Sequence, residues 1–431
     1  MDRRAFLLLL LAGCADPSAN MLPPVLSTGA APTPQQPEPI TPPTASGDPE
    51  FDRWASDFYV RAIKAGLPAS LLDHELAGLT PDPRVIGLDS KQPEFAKPFG
   101  DYIKGVVNEG RISLGQQKRV DLSSLLGPVE QAYGVPGDIL LAIWAMETGF
   151  GATLGNFDVI RSMATLAAHG RRQDFAEDQL MAALRIIGSG EFPRGRLIGS
   201  WAGAMGQTQF IPTSFLSTAV DGDGDGRRDV WASAPDALAS AANLLKKGGW
   251  VAGQGWAREV TAPDGFDYSL TEGPREVPDW WAKLGVQRAD GLPWTPADQT
   301  AKAMLIAPTG AGGPLFLLLP NHFVIRKYNN ATTYALGVGL LADRFAGLPP
   351  LAKVWPYEVA LSTADRIAAQ TALLSLGFDP GKPDGVIGVN TRTALRAWQA
   401  SRKLTADGYL SLDMVARLKT ETMAPPLAPS N

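Results

Sequence analysis

The sequence predicts a mainly α-helical protein with a few short strands. From Phe51 to about Phe345, apolar residues mostly recur at helical spacing, as in Leu238 to Leu245. Ile139 to Met146 are eight consecutive apolar residues, the pattern of a helix enclosed on every side. Strand-like runs are scarce, the best being Phe316 to Leu319 and His322 to Ile325.

The elements follow in order along the chain. Arg3 and Arg4 precede an apolar run from Phe6 to Leu11, too short to span a bilayer as a helix but suited to an export leader. Leu11-Ala12-Gly13-Cys14 resembles the bacterial lipobox, which makes residues 1–14 a signal peptide and Cys14 the lipidated residue. Arg3 to Leu7 also resembles a twin-arginine export signal. Ala15 follows the cysteine, and the resemblance then implies an anchor in the outer membrane, facing the periplasm. Residues 15–49 are crowded with Pro, Thr, Ser and Ala and read as a disordered tether. Residues 50–346 carry the helical pattern and form the expected main domain. A Gly- and Pro-containing linker, 347–357, leads to a compact segment at 358–420. Residues 421–431 form a loose, Pro-rich tail.

Composition removes several function classes. A formal charge of -5 argues against nucleic acid, whose phosphates demand a basic surface. A single cysteine excludes disulfides within the chain, and with three histidines a Cys/His zinc site is poorly supplied. His74, His169 and His322 sit in no nucleophile context. Chemistry must then rest on carboxylates or a bound cation. The eleven tryptophans suit a sugar reader, although most tryptophan in any protein is core.

Glu147 follows the apolar run directly, and Gly149-Phe150-Gly151 end the helix. A carboxylate there should lie at a cleft floor, partly desolvated, with its pKa raised toward that of a general acid. The local pattern alone also allows an ordinary solvated helix-end residue. Asp138 near the start of the run suits the helix dipole.

Three ordered motifs carry a resemblance. Ala142-Ile-Trp-Ala-Met-Glu-Thr-Gly-Phe-Gly151 resembles the catalytic motif of the membrane-bound lytic transglycosylase B family. Gly199-Ser-Trp-Ala-Gly-Ala-Met-Gly-Gln-Thr-Gln-Phe-Ile-Pro212 continues it, and Arg326 to Asn330 with Tyr334-Ala335 is similar to that family's Tyr-Asn element. The resemblance implies a lysozyme-like α fold and Glu147 as sole acid/base. The substrate would be the glycan strands of peptidoglycan, and the chemistry would need no cofactor. It implies that Ser200 and Asn329 bind the sugar, that Tyr328 and Gln209 line the cleft, and that Arg171 and Arg172 meet peptide-stem carboxylates. The pair Gln207-Thr208 departs from the aromatic-Gly pair of some members. Asp158 and Asp174 are available as carboxylates but read as surface or cap residues.

Asp221, Asp223, Asp225 and Asp229 occupy positions 1, 3, 5 and 9 of an EF-hand-like loop, with Gly226 at 6 and the Arg227 carbonyl at 7. Ala232 stands where the bidentate Glu belongs, and the family resemblance implies that Asp236 closes the site. The reading is a structural calcium ion, and the alternative is an Asp/Gly turn without metal. Ala369-Gln370, Leu373, Leu376-Gly377, Asp384-Gly385, Gly388, Thr391, Trp398-Gln399 and Asp407-Gly408 resemble the peptidoglycan-binding domain type 1, implying three short helices around a small core. Two rival readings remain, a hydrolytic muramidase and a non-catalytic wall-binding scaffold. Membrane contact is expected through the lipid anchor only, and no protein partner is named by the sequence.

Overall fold

In the computed structural model, described over residues 45–90 and 97–423, eighteen α-helices stand against seven short strands, as the helical periodicity predicts. Cys14, the leader, almost all of the tether and residues 424–431 lie outside the described residues. No helix among those described is long and apolar enough to cross a membrane. Among the described residues the chain divides into two compact units that cut across the expected main domain: 45–89, 155–204 and 211–216 form one, and Ser90, 97–154, 205–210 and 217–423 the other.

The first unit opens with the helix Pro49–Lys64. Asp48 caps it, its carboxylate accepting from the N–H groups of Glu50 (3.0 Å) and Phe51 (3.1 Å), while Pro49 supplies the preset φ of a first turn. Phe51, Phe58 and Ala62 bury one face of it, and it packs on the helix Val159–His169. That helix packs in turn on Gln173–Gly188. Asp158 caps Val159–His169, and a two-stranded ribbon, Phe157–Asp158 with Ile198–Gly199, ties its start to the later chain.

The second unit is built around the helix Gly137–Thr148. Helices Glu109–Asp121, Ser123–Tyr133, Ala234–Lys247 and Thr332–Phe345 all pack against it, which is why its sequence is apolar all round. An antiparallel sheet flanks this bundle, in the order Arg275–Glu276, Ala303–Ile306, Leu315–Leu318, Ala257–Thr261, Gln287–Arg288. Leu305 pairs with Leu317, which also pairs with Arg258, and the apolar side closes over Val260, Trp281 and Leu319. The run expected at Phe316–Leu319 is the central strand of this sheet. The expected strand at His322–Ile325 is instead part of the helix Pro320–Tyr328. Pro320 at the first position presets φ for a helix, and His322 and Ile325, three apart, bury one helical face.

Three further helices, Thr363–Ser375, Val389–Ser401 and Leu412–Met423, enclose a small core of Leu373, Leu395, Trp398 and Leu418. A reciprocal Ser362–Asp365 capping box starts the first of them. This C-terminal module joins the second unit through charged groups. Arg392 donates twice to Glu272 (2.6 and 2.5 Å), Arg396 donates to the Thr271 hydroxyl (2.7 Å), and Asp407 accepts from the Ala311 N–H (3.0 Å).

Candidate active site

Glu147 stands in the last turn of Gly137–Thr148. Ile139 to Ala145 are almost wholly inaccessible, and Gly149, at φ +62, stops the helix in the left-handed conformation that glycine adopts without strain. Thr148 secures this end. Its hydroxyl donates to the Gln207 carbonyl (2.6 Å) and accepts from the Gly151 N–H (2.9 Å), joining the helix to the 205–210 turn.

The Glu147 side chain is half-buried, so it keeps a face that another molecule can reach, while its carboxyl group is withdrawn from water. Burial pushes its pKa up to about 7, opposed by a hydrogen bond from the Tyr334 hydroxyl to Oε1 (2.6 Å). Tyr334 comes from the helix Thr332–Phe345 and is itself buried. Burial first, and then the Glu147 charge, raise the pKa of Tyr334 and Tyr328 well above the ordinary value and that of Tyr102 to about 12. Glu147 therefore sits among three phenols that stay protonated at neutral pH. A lone carboxyl with a pKa near neutrality can give a proton and take one back.

Tyr328 ends the helix Pro320–Tyr328, and its hydroxyl donates to the Thr208 carbonyl. Asn329 follows as the C-cap, buried, with its Oδ1 lacking a hydrogen-bond partner. Gln209, at φ +52, closes the tight turn, and its amide donates to the carbonyls of Gly206 (3.0 Å) and Leu154 (3.3 Å). A Cβ on Gly206 would meet the Val230 carbonyl oxygen at 2.7 Å, so that position requires glycine. The second unit thus brings together Glu147, Gln209, Tyr328 and Asn329 from the expected residues. It adds Tyr334, Tyr102 and Thr148, to which sequence reasoning gave no role. Tyr334 lay inside a motif already singled out; Tyr102 carried no local signal.

Ser200, Arg171 and Arg172 belong to the first unit. Ser200 turns the chain, its Oγ accepting from the Ala204 N–H (3.0 Å) and its N–H donating to the Ala204 carbonyl (2.8 Å). Arg171 is paired with Asp89 (3.5 Å), and Arg172 lies over the Phe175 ring (4.0 Å). Asp158 is a helix cap ion-paired to Arg194 (2.7 Å), and Asp174 is an exposed first-turn residue.

In the acidic loop, carboxylate oxygens of Asp221, Asp223 and Asp236 lie within 4.8 Å of one another. Asp236 is fully buried and accepts from the N–H groups of Gly222 (2.8 Å) and Asp229 (2.6 Å). Burial raises its pKa, while bonds from the loop amides, that of Gly226 foremost, lower that of Asp221. Asp225 stands outside this group and holds the Arg227 N–H (2.8 Å); Asp229 caps Trp231 and Ala232. An all-oxygen set of this kind suits a hard cation such as calcium.

Residues 50–343 match the transglycosylase SLT domain family, and residues 362–418 match a peptidoglycan binding domain. The membrane-bound lytic murein transglycosylase B of Escherichia coli K12 is 32% identical over 225 residues, 50% of this chain and 58% of that protein. The chain thus spans little more than half the length of that relative. SltB3 of Pseudomonas aeruginosa, solved in complex with NAG-anhNAM-pentapeptide, is 46% identical with a TM-score of 0.82, over 86% of this chain and 100% of its own. The Escherichia coli lytic transglycosylase Slt35, solved in complex with calcium, is 27% identical with a TM-score of 0.57, over 69% of this chain and 93% of its own. The lysozyme-like, mainly α architecture expected above is the one these structures share with it. With a family match running through most of its length, the chain belongs to the transglycosylase SLT domain family.

Proposed function

We propose that this protein is a lytic transglycosylase that cuts the MurNAc–GlcNAc β-1,4 bond of peptidoglycan and leaves 1,6-anhydro-MurNAc ends. The observation that carries the reading is the Glu147 carboxyl, with its pKa near 7, held by Tyr334 among neutral phenols. Glu147 protonates the leaving glycosidic oxygen. As carboxylate it then takes the proton of the muramoyl C6 hydroxyl, which attacks C1 of the same sugar. Hydrolytic glycosidases generally set a second carboxylate about 5–9.5 Å from the first, to attack or to activate water. Here the nucleophile is tethered within the substrate, so proximity takes the place of that second group.

Tyr334 fixes the Glu147 rotamer and stabilises its anion. The unpaired Asn329 Oδ1 can accept from a sugar N–H or O–H, and the Ser200 hydroxyl can donate to one. Tyr328 and Gln209 form wall, and Arg171 and Arg172 are candidates for peptide carboxylates. Asp221, Asp223 and Asp236, with the Arg227 carbonyl, would hold a structural calcium ion, as Slt35 was solved with calcium. Leu11 to Cys14, together with the membrane-bound relative, supports a lipoprotein of the outer membrane acting in the periplasm.

Mass spectrometry of digested peptidoglycan tests the chemistry. An anhydro end is one water lighter than a reducing end, and reducing ends would establish a muramidase instead. Digestion undiminished by Glu147→Gln would remove Glu147 from the mechanism, and no digestion by the wild type would leave a wall-binding scaffold.

A further inference from the structure

The second unit contains two arginines, Arg275 and Arg326, close enough for their charges to interact and without a carboxylate partner among the described residues. Arg275 lies on the edge strand Arg275–Glu276, with its guanidinium over the Phe323 ring, 4.0 Å from the centroid. Arg326 stands on the helix Pro320–Tyr328, three residues beyond Phe323, and donates from Nη2 to the Asn330 Oδ1 (2.8 Å). Among the described residues the contacts of the two guanidinium groups are to Phe323 and Asn330, with no ion pair to a carboxylate, and the Nε–H of Arg326 is buried without an acceptor. A guanidinium offers five donors in a fixed fork, and a buried one left open is an exception that calls for an explanation. His322, one turn earlier, does not supply it. That side chain is fully buried with both ring nitrogens unbonded, and burial first, then Arg326, push its pKa down to about 3, so it stays neutral.

The geometry points to Arg275 and Arg326 as a binding site for a carboxylate on the peptide arm of the substrate, with Phe323 as the apolar floor beneath it. The assignment rests on the peptidoglycan reading above. Arg326 lies two residues before Tyr328 and is tied to Asn330, two residues after it, so the cation pair borders the helix end that bears Tyr328 and Asn329. A glycan strand offers only hydroxyls and amides, and its peptide arms supply the carboxylates. A planar fork matches a carboxylate through two parallel bonds, and the ring lets small alkyl side chains settle beside it. Arg171 already has a carboxylate in Asp89, which Arg275 and Arg326 lack.

Calorimetric titration of the full chain carrying Glu147→Gln, with two probes, tests this. One probe is a NAG-NAM disaccharide bearing a pentapeptide, and the other is the same disaccharide without peptide. Arg275→Glu should weaken the peptide-bearing probe about tenfold, near 1.4 kcal/mol, and leave the peptide-free probe within about twofold. Arg275→Lys should lose part of the affinity, because an ammonium keeps the charge but not the paired bonds, and Arg326→Gln should act as Arg275→Glu does. Rising salt should erode the difference between the probes. Equal loss for both probes, or no loss for either, overturns the assignment. If the parent protein binds neither probe, the peptidoglycan reading fails first.

Discussion

Glu147 must be dry enough to hold a proton near neutral pH yet open enough to meet substrate, and both demands cost stability. Its folded pKa, about 7, is raised well above the ordinary glutamate value. The protonated folded form is therefore favoured at low pH, and that advantage fades as pH rises from the unfolded value through about 7, above which the buried anion is a constant burden. Glu147→Gln should abolish cutting and should also stabilise the fold at pH 8 by up to about 3 kcal/mol, seen as a higher melting temperature, with a smaller gain at pH 4. Scanning calorimetry at the two values checks this, and an unchanged melting temperature at pH 8 would mean the carboxyl is solvated. Tyr334→Phe removes the bond that lowers the Glu147 pKa, so the alkaline limb of kcat/KM should move to higher pH while the rate drops roughly tenfold to a hundredfold. A limb that stays in place would exclude Tyr334 as the controlling partner. Glu147 was legible because an eight-residue apolar run ends at it. Tyr334, 187 residues away, was not, because that contact exists only once two distant helices pack.

At the scale of elements, burial pattern was legible where one period dominates. The Gly137–Thr148 helix shows in eight apolar residues, and the Leu315–Leu318 strand in four buried ones. The misread segment, His322 to Ile325, is too short for alternation to outweigh a proline two residues before it. Strands such as Arg275–Glu276 and Gln287–Arg288 are two residues long and exist only through their neighbours in the sheet. The acidic loop was legible as a spacing, and its closure by Asp236 only through the family resemblance, because it depends on how the helix Ala234–Lys247 presents Asp236 from its first turn. Three carboxylates converging within 4.8 Å repel one another, and a cation bound to them favours the folded state by mass action. Calcium at a hundredfold excess over its Kd should raise the melting temperature by roughly 5 °C. Asp236→Asn should abolish the response, and a melting temperature indifferent to calcium and to chelator would leave the loop as a plain turn.

For the second unit as a whole, what matters is how its C-terminal module is held. Glu272 receives both Arg392 and Arg396, the Gly100 N–H donates to Glu358 (2.7 Å), and Trp355 of the linker stacks on Phe316. Glu272 takes φ +61, a backbone conformation that a side chain of its size adopts only when its surroundings compensate. Burial opposes its charge, but the two arginines hold its pKa below the usual carboxylate range. A depressed pKa stabilises the contact above the unfolded value and withdraws that support as pH falls below it, so the latch is intact at neutral pH and weakens in acid. Sequence could not show this, because Glu272 and Arg392 lie 120 residues apart in chains of ordinary surface character. Glu272→Ala leaves the buried Arg396 and the half-buried Arg392 without their carboxylate, which should cost roughly 1–3 kcal/mol of docking energy. The module should then move on its linker. Protease cleavage within residues 347–357 should accelerate several-fold, the radius of gyration from X-ray scattering should grow, and the rate on short soluble glycan should hold within about twofold. High salt should reproduce the first two effects in the wild type, because the ion pairs are only partly shielded from solvent. A variant with an unaltered scattering profile would show that the apolar contacts around Trp355 and the Gly100 N–H bond to the Glu358 carboxylate hold the module without the latch.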